Sequence, residues 1–165
     1  MTVLGVDPGP TQSGFCLFDG RKACVAGTEQ NETLYGRIVT AQFGRKTAYV
    51  FERVQSYGRP VGKSTFETIF WTGRMFEAAV FVTSMGAPVT RIHFPQVKQH
   101  LCPGSQGKDV DVRQALLQRF GGEKAAKGTK ASPGPLYGVS GHAWSALAVA
   151  VVWWDRALVV RDAEA

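Results

Sequence analysis

Two carboxylates stand where they could do chemistry, each at the end of a predicted core strand. Asp7 follows an apolar run and precedes a Pro-Gly turn. In the β-rich segment 47–54, which predicts the second core strand, Glu52 ends the apolar run. A carboxylate in such a place is costly unless a partner such as a metal ion or a phosphate-bearing ligand offsets it. For Asp7 a second interpretation stays open, in which it only caps the turn by accepting backbone N–H bonds.

A histidine and a serine complete the pattern near the other end of the chain. His142 begins a long apolar helix, and Ser145 lies one turn later on the same face. If the two strands are neighbours and the helix packs on them, these side chains converge. Hard oxygen ligands with open water positions suit Mg²⁺ or Mn²⁺. Two such ions about 4 Å apart can activate a water and stabilise the leaving oxygen of a phosphodiester. A lone histidine at a helix start is more often a cap or a core residue, so both interpretations stay open for His142.

The first half of the chain supplies the strands that must position these groups. Alternating and apolar runs predict strands over 3–7, 14–18 and 22–27, with an antiparallel hairpin turn at Asp19-Gly20. The spacing of Leu34, Ile38 and Val39 predicts a short helix within 28–44, before the strand at 47–54.

The second half supplies the helices. Ser64 and Glu67 form a predicted capping box, and the helix that follows should end near Ser84. A strand over 88–94, a helical turn over 96–101 and a helix starting at Asp111 come next. The glycine-rich segment 121–141 is expected to be a mobile loop or a surface arm. The helix predicted to follow Ser64 has an expected core face that consists of Phe66, Ile69, Phe70, Gly73, Phe76, Val80 and Phe81.

Composition narrows the class of protein. The 165 residues, without repeats or a linker, predict a single domain over 1–165. An excess of 19 Lys+Arg over 13 Asp+Glu favours a polyanionic partner such as nucleic acid. Three cysteines without metal-site spacing indicate a reduced, intracellular protein. We expect no signal peptide and no membrane association, because the longest apolar run, 146–154, is too short to span a bilayer.

Five motifs, taken in order, resemble the RuvC family of Holliday-junction resolvases, and especially its phage-encoded members. The resemblance covers nearly the whole chain and implies an α/β, RNase H-like fold. In that fold a central mixed five-stranded sheet, its first three strands antiparallel, is flanked by helices. The matching motifs are Gly5–Gly9 with Gly14, Phe51–Val54, Gln96–Gln99, Lys108 and His142–Ala150.

The resemblance also implies an activity. It predicts a homodimeric crossover junction endodeoxyribonuclease that nicks two strands of four-way or branched DNA symmetrically, using two Mg²⁺ or Mn²⁺ ions per site. Asp7, Glu52 and His142 are the implied metal ligands. The implied dimer forms largely through the helix after Glu52, for which Trp71, Met75 and Phe76 are available. The expected location is the cytoplasm of a bacterial cell or of a phage-infected host.

Ser145 departs from the family, which usually has aspartate there. Serine is a neutral and weak ligand, so at least one ion should bind less tightly. Three explanations are open: water-mediated binding with altered activity, an engineered inactive form, and a junction-binding module without cleavage. We expect no other acid to replace it, because Asp155 lies too far along the helix, and Asp109 and Asp111 belong to another helix start.

Basic and aromatic residues provide the predicted DNA surface. Phosphates are the natural partners of the basic side chains. The resemblance assigns Lys98 and Lys108 to the scissile backbone as catalytic lysines, and an aromatic wedge at the junction to Tyr57 or Phe66. A core position is the favoured interpretation for Phe66. The remaining predicted DNA contacts are Arg53, Arg59, Lys63 and Arg74.

Two other classes of protein are alternatives. A catalytically silent branched-DNA-binding protein would explain Ser145. A nucleotide-binding domain of the actin, Hsp70 or sugar-kinase type shares the first hairpin motif, but it needs a second lobe and a second phosphate loop that this sequence lacks.

Overall fold

A mixed five-stranded sheet forms the centre of the computed structural model. The structure describes residues 1–56, 58, 60–83, 86–104 and 108–163, and for residues 161–163 it describes the backbone only. The strand order is β3-β2-β1-β4-β5. The first three strands are antiparallel, and β4 and β5 run parallel to β1. This confirms the predicted sheet. The strands are β1 (Val3–Asp7), β2 (Gln12–Phe18), β3 (Ala23–Gln30), β4 (Ala48–Glu52) and β5 (Val89–Ile92).

Helices cover both faces of the sheet. Because side chains alternate along a strand, β1 sends Leu4 and Val6 into one core and Val3 into the other. The helices α1 and α2 cover the first core, and α6 with α3 and α4 covers the second. The helices are α1 (Asn31–Val39), α2 (Lys63–Val82), α3 (Phe94–Leu101), α4 (Asp109–Arg119), α5 (Glu123–Lys127) and α6 (Ala143–Ala163).

Two glycines let α6 approach the sheet more closely than any other residue would allow. A Cβ built on Gly5 would lie 2.0 Å from the Ala146 carbonyl oxygen. A Cβ on Gly14 would lie 2.5 Å from the His142 carbonyl oxygen and 2.7 Å from the His142 Cβ. The first turn of α6 therefore lies directly on β1 and β2, beside the end of β1.

The predicted start and core face of α2 are wrong. The helix begins at Lys63 after the N-cap Gly62, without a side-chain cap, so Ser64 lies inside it. The buried residues are Thr68, Trp71, Thr72, Met75, Ala78, Ala79 and Val82. The predicted face points outward instead, with Phe66 61%, Phe70 54% and Phe81 75% exposed.

Two further expectations need correction. The segment 121–141 is neither a mobile loop nor a surface arm, because it contains α5 and buries Leu136 and Val139 in the core under α6. The first hairpin has a four-residue loop in which the Asp19 carboxylate accepts the N–H groups of Arg21 and Lys22. The residues 143–160 of α6 are long and apolar enough to cross a membrane by length and composition, although 56% of that stretch is buried within the fold.

The close packing at Gly5 can be tested by a change in stability. We expect Gly5→Ala to lower the free energy of unfolding by about 1–3 kcal/mol or more, because a backbone carbonyl cannot move out of the way cheaply. Gly36→Ala in α1, whose Cβ meets nothing within 4 Å, is the control and should be neutral or stabilising by up to about 1 kcal/mol. Urea denaturation measures both variants, and equal stability would contradict the packing argument.

Candidate metal centre and nucleic-acid interface

The two strand-end carboxylates lie at the same edge of the sheet. Because β1 and β4 are parallel neighbours, with Val6 opposite Phe51, both strands end side by side. Asp7 and Glu52 are the last residues of these strands, and both are half-buried. The convergence predicted for the two acids is therefore present.

The turn after β1 is held without Asp7. The Gly9 N–H donates to Ser13 Oγ over 3.2 Å, and the Ser13 hydroxyl donates to Asn31 Oδ1 over 2.7 Å. The Asn31 side-chain amide returns a bond to the Gly9 carbonyl over 3.0 Å. These hydrogen bonds stabilise the turn that a capping Asp7 would otherwise stabilise. The Asp7 carboxylate is therefore available to other partners.

His142 is the direct partner of Asp7. Its Nδ1 lies 3.2 Å from Asp7 Oδ2. The close contact with Gly14 fixes the His142 backbone, while 73% of the imidazole side chain remains exposed. The histidine is therefore not a core residue. It lies immediately before α6, one residue earlier than the start of that helix.

The pKa values of Asp7 and Glu52 reflect both burial and nearby negative charge. The end of the sheet that these two residues form is called the acidic edge below. Burial raises the pKa of Asp7 above its ordinary value, His142 opposes that rise, and Asp109 adds to it. Burial first, and then the charges of Asp7 and Asp109, raise the pKa of Glu52 to about 8. Lys98 is the group that lowers the pKa of Glu52. The edge is thus a place where a bound cation would be strongly stabilising.

Asp109 corrects the expectation that no other acid lies near the site. The N-terminus of α4 comes close enough for the Asp109 charge to act on both Asp7 and Glu52. The sequence held a usable signal, since Asp109 directly follows Lys108, one of the two lysines expected at the site. Asp155 is indeed elsewhere: its carboxylate binds Arg119 and His100.

Ser145 lines a cavity of about 490 Å³ between the first turns of α4 and α6, together with Asp109 and His142. It is half-buried. Position 145 therefore borders the same cavity as His142, the residue that contacts Asp7.

The donor types at this edge fit Mg²⁺ or Mn²⁺. Carboxylate oxygens with one imidazole are acceptable ligands for such ions. Burial, together with the charges of Asp7 and Asp109, raises the pKa of Glu52 to about 8, and a bound cation would oppose that rise. Within the described residues, no three His, Cys, Asp or Glu side chains are gathered closely enough to hold an ion as they stand. Asp7 and His142 contact each other instead, so an ion would have to come between them.

The two predicted catalytic lysines are neighbours of Asp109, Lys98 in space and Lys108 in sequence. Lys98 Nζ is 3.4 Å from Asp109 Oδ1 and packs 4.9 Å from the centre of the Phe94 ring. Lys108 is the exposed N-cap of α4, and its amide donates to Asp111 Oδ2 over 2.9 Å. Both lysines are thus attached to the elements that border the site.

A second basic surface lies beyond Glu52 on the α2 side. Arg53 hydrogen-bonds to His93 Nε2 over 3.0 Å. It lines a cavity of about 360 Å³ together with Arg91 and the exposed side of α2. Arg91 was not among the predicted DNA contacts, because a single arginine in a short strand carries no distinctive pattern.

The other predicted DNA contacts are spread more widely. Lys63 borders a separate cavity near the turn after β1, lined also by Pro10 and Thr11. The Arg74 guanidinium stacks 4.4 Å from the ring of Tyr35 and 4.7 Å from that of Trp71, between α1 and α2. The structure thus does not bring Arg74 to the acidic edge. Tyr57 and Arg59 lie outside the described residues.

Comparisons with known proteins define the class of fold. No protein-family model matches the chain, and no curated protein is significantly similar to it in sequence. Solved structures do match, and they define an RNase H-like fold. The Thermus thermophilus RuvC structure is 21% identical, with a TM-score of 0.65, over 94% of this chain and 96% of that one.

A second match is T. thermophilus RuvC in complex with a Holliday junction substrate. It is 21% identical, with a TM-score of 0.57, over 94% of this chain and 95% of that one. A hexokinase of the ROK group from T. thermophilus matches with a TM-score of only 0.37, which carries no argument for the sugar-kinase alternative. The chain therefore has the fold of RuvC, as its motifs predict.

The acidic edge should make the metal-free protein less stable as pH rises. Between the ordinary Glu52 pKa of 4.5 and the folded value of about 8, the folded protein keeps a proton that the unfolded chain loses. Each unit of pKa difference corresponds to about 1.4 kcal/mol. We expect the free energy of unfolding in EDTA to fall from pH 5 to pH 8 in the wild type, and to fall much less in Glu52→Gln.

Glu67→Gln, which removes an exposed glutamate of α2, is the control and should keep the wild-type slope. Urea titrations at pH 5, 6, 7 and 8 measure all three proteins. Parallel curves for the wild type and Glu52→Gln would contradict the assignment of the raised pKa to Glu52.

Proposed function

We propose that this protein is a structure-selective DNA endonuclease that resolves Holliday junctions or related branched DNA. It would act as a homodimer in the cytoplasm of a bacterial cell or phage-infected host, nicking paired strands symmetrically by divalent-metal-dependent hydrolysis. One observation carries the proposal: within the fold of RuvC, Asp7, Glu52 and the residue before α6 meet at one edge of the sheet, where negative charge is poorly compensated.

Asp7, Glu52 and His142 would hold two Mg²⁺ or Mn²⁺ ions per site. When bound, such ions activate a water and stabilise the leaving oxygen of a phosphodiester. The chain's own part is to fix the ligands: β1 and β4 present the carboxylates, and Gly14 holds the backbone of His142 against β2. An ion would take the place of the direct contact between His142 and Asp7.

Basic residues would position the DNA backbone around that centre. Lys98 and Lys108 border the acidic edge, and Arg53 with Arg91 extends the positive surface toward α2. Phosphates are the expected partners of such groups. We also propose contacts from Lys63, Tyr57 and Arg59, and base stacking by Phe66, whose side chain is 61% exposed at the start of α2.

The silent DNA-binding protein remains the second candidate. It is favoured by Ser145, which places a neutral hydroxyl where a carboxylate would strengthen metal binding. A junction-binding module would keep the fold and the basic surface without cutting.

A labelled four-way junction distinguishes the two candidates. With Mg²⁺ or Mn²⁺ we expect paired, symmetric nicks, and we expect Asp7→Asn to slow nicking by about 100-fold, because it removes a fixed charge at the ion site. Glu123→Gln, on the exposed surface of α5, is the control and should cut like the wild type. Tight junction binding without nicks would favour the silent protein, and equal binding to linear duplex would contradict both.

The outward face of α2 is the proposed dimer interface. Large apolar side chains recur there at helical spacing, at Ile69, Phe70, Val80 and Phe81, each at least 49% exposed. Exposed large apolar side chains grouped on one helix face often mark a protein contact. Of the three residues first expected to serve, Trp71 and Met75 are buried inside the protomer, and Phe76 is half-buried against its core. A second copy of the chain is the proposed occupant.

Light scattering after size exclusion tests the dimer. The wild type should have twice the chain mass of 17.9 kDa, and Phe81→Glu should shift it toward the monomer, because a charge would be buried in the interface. Val159→Glu alters a side chain that is similarly exposed, 70% against 75%, but lies on α6, so it should remain dimeric. A wild-type monomer at micromolar concentration would contradict the proposal.

A further inference from the structure

The cavity between α4 and α6 has one acidic side chain. Among the described residues that line it, Asp109 is the sole carboxylate, facing His142 and Ser145. Position 145 presents only a hydroxyl. In this cavity α6 offers no carboxylate at position 145, whereas α4 offers the carboxylate of Asp109.

The helix itself does not need Asp109. The N-cap amide of α4, that of Lys108, donates to Asp111. Asp109 pairs with Lys98 over 3.4 Å, and 83% of its side chain is exposed. A surface ion pair of this kind contributes little to stability. The ion pair with Lys98 therefore holds Asp109 only weakly where it is.

The charge of Asp109 also reaches the proposed ligands. It acts unfavourably on both Asp7 and Glu52. Three acidic groups that repel one another around a partly buried edge are a poor arrangement for stability and a favourable one for binding a divalent cation.

We propose that Asp109 supplies the carboxylate that position 145 lacks, so that the ion site is completed from α4 instead of from α6. This inference rests on the proposed function, because it assigns a further ligand to the same metal centre. Asp109 would exchange its ion pair with Lys98 for the bound cation. Lys98 would then be released to contact a phosphate of the DNA, which links metal binding to substrate binding.

Calorimetric titration with Mn²⁺ in the absence of DNA tests the assignment independently of cleavage. The variants are Asp109→Asn, Asp111→Asn, Ser145→Asp and the double variant Asp109→Asn with Ser145→Asp. Asp111→Asn is the matched control, because it removes the same charge from the same helical turn while its amide oxygen can still accept the capping bond. Circular dichroism melts verify that each variant is folded.

We expect Asp109→Asn to weaken Mn²⁺ binding at least about tenfold and Asp111→Asn to change it less than about twofold. Ser145→Asp should restore the lost affinity in the Asp109→Asn background, because it returns a carboxylate to the same cavity. Equal affinities for Asp109→Asn and Asp111→Asn would overturn the inference, as would a failure of Ser145→Asp to rescue.

Asp7→Asn separates this inference from the proposed function. If the wild type binds Mn²⁺, Asp7→Asn abolishes that binding and Asp109→Asn does not weaken it, the metal centre stands and the role of Asp109 is overturned. If the wild type binds no Mn²⁺ at all, both the role of Asp109 and the metal dependence of the proposed function are overturned.

Discussion

The direct packing of α6 on β1 and β2 is the constraint on which the rest of the structure depends. It is possible only because Gly5 and Gly14 have no side chain, so that backbone meets backbone at the first turn of the helix. The packing places His142 against Asp7 and turns Ser145 toward the neighbouring cavity. The same contact therefore completes one of the two cores and brings the C-terminal part of the chain to the end of the first strand.

The electrostatics of the edge follow from that geometry. Helices and strands deliver Asp7, Glu52 and Asp109 to one region, and Lys98 is the basic group whose charge acts on Glu52 in the opposite direction. Burial prevents water from compensating the carboxylates fully. An arrangement of this kind lowers stability in the metal-free protein, and proteins retain such arrangements at functional sites. The destabilisation and the proposed affinity for a cation thus have the same cause.

Local patterns in the sequence were sufficient for the individual strands and the two strand-end acids, because apolar runs and terminal carboxylates can be recognised in short segments. The five-stranded arrangement of the sheet was implied by the resemblance to the RuvC family. It failed at α2, where apolar residues occur on several sides and the larger ones, such as Phe70 and Phe81, are exposed. The buried side instead uses Thr68 and Thr72, whose hydroxyls donate to carbonyls one turn earlier. Asp109 was missed because the packing of α4 beside α3 and α6 is a tertiary arrangement, and its place directly after Lys108 was the one signal that the sequence offered.

Anomalous diffraction from crystals grown with Mn²⁺ tests the central claim most directly, because it shows which side chains reach a bound ion. We expect a manganese peak coordinated by Asp7 and Glu52, with His142 turned from Asp7 toward the ion. A peak bound elsewhere, or no peak while His142 Nδ1 remains in contact with Asp7, would contradict it.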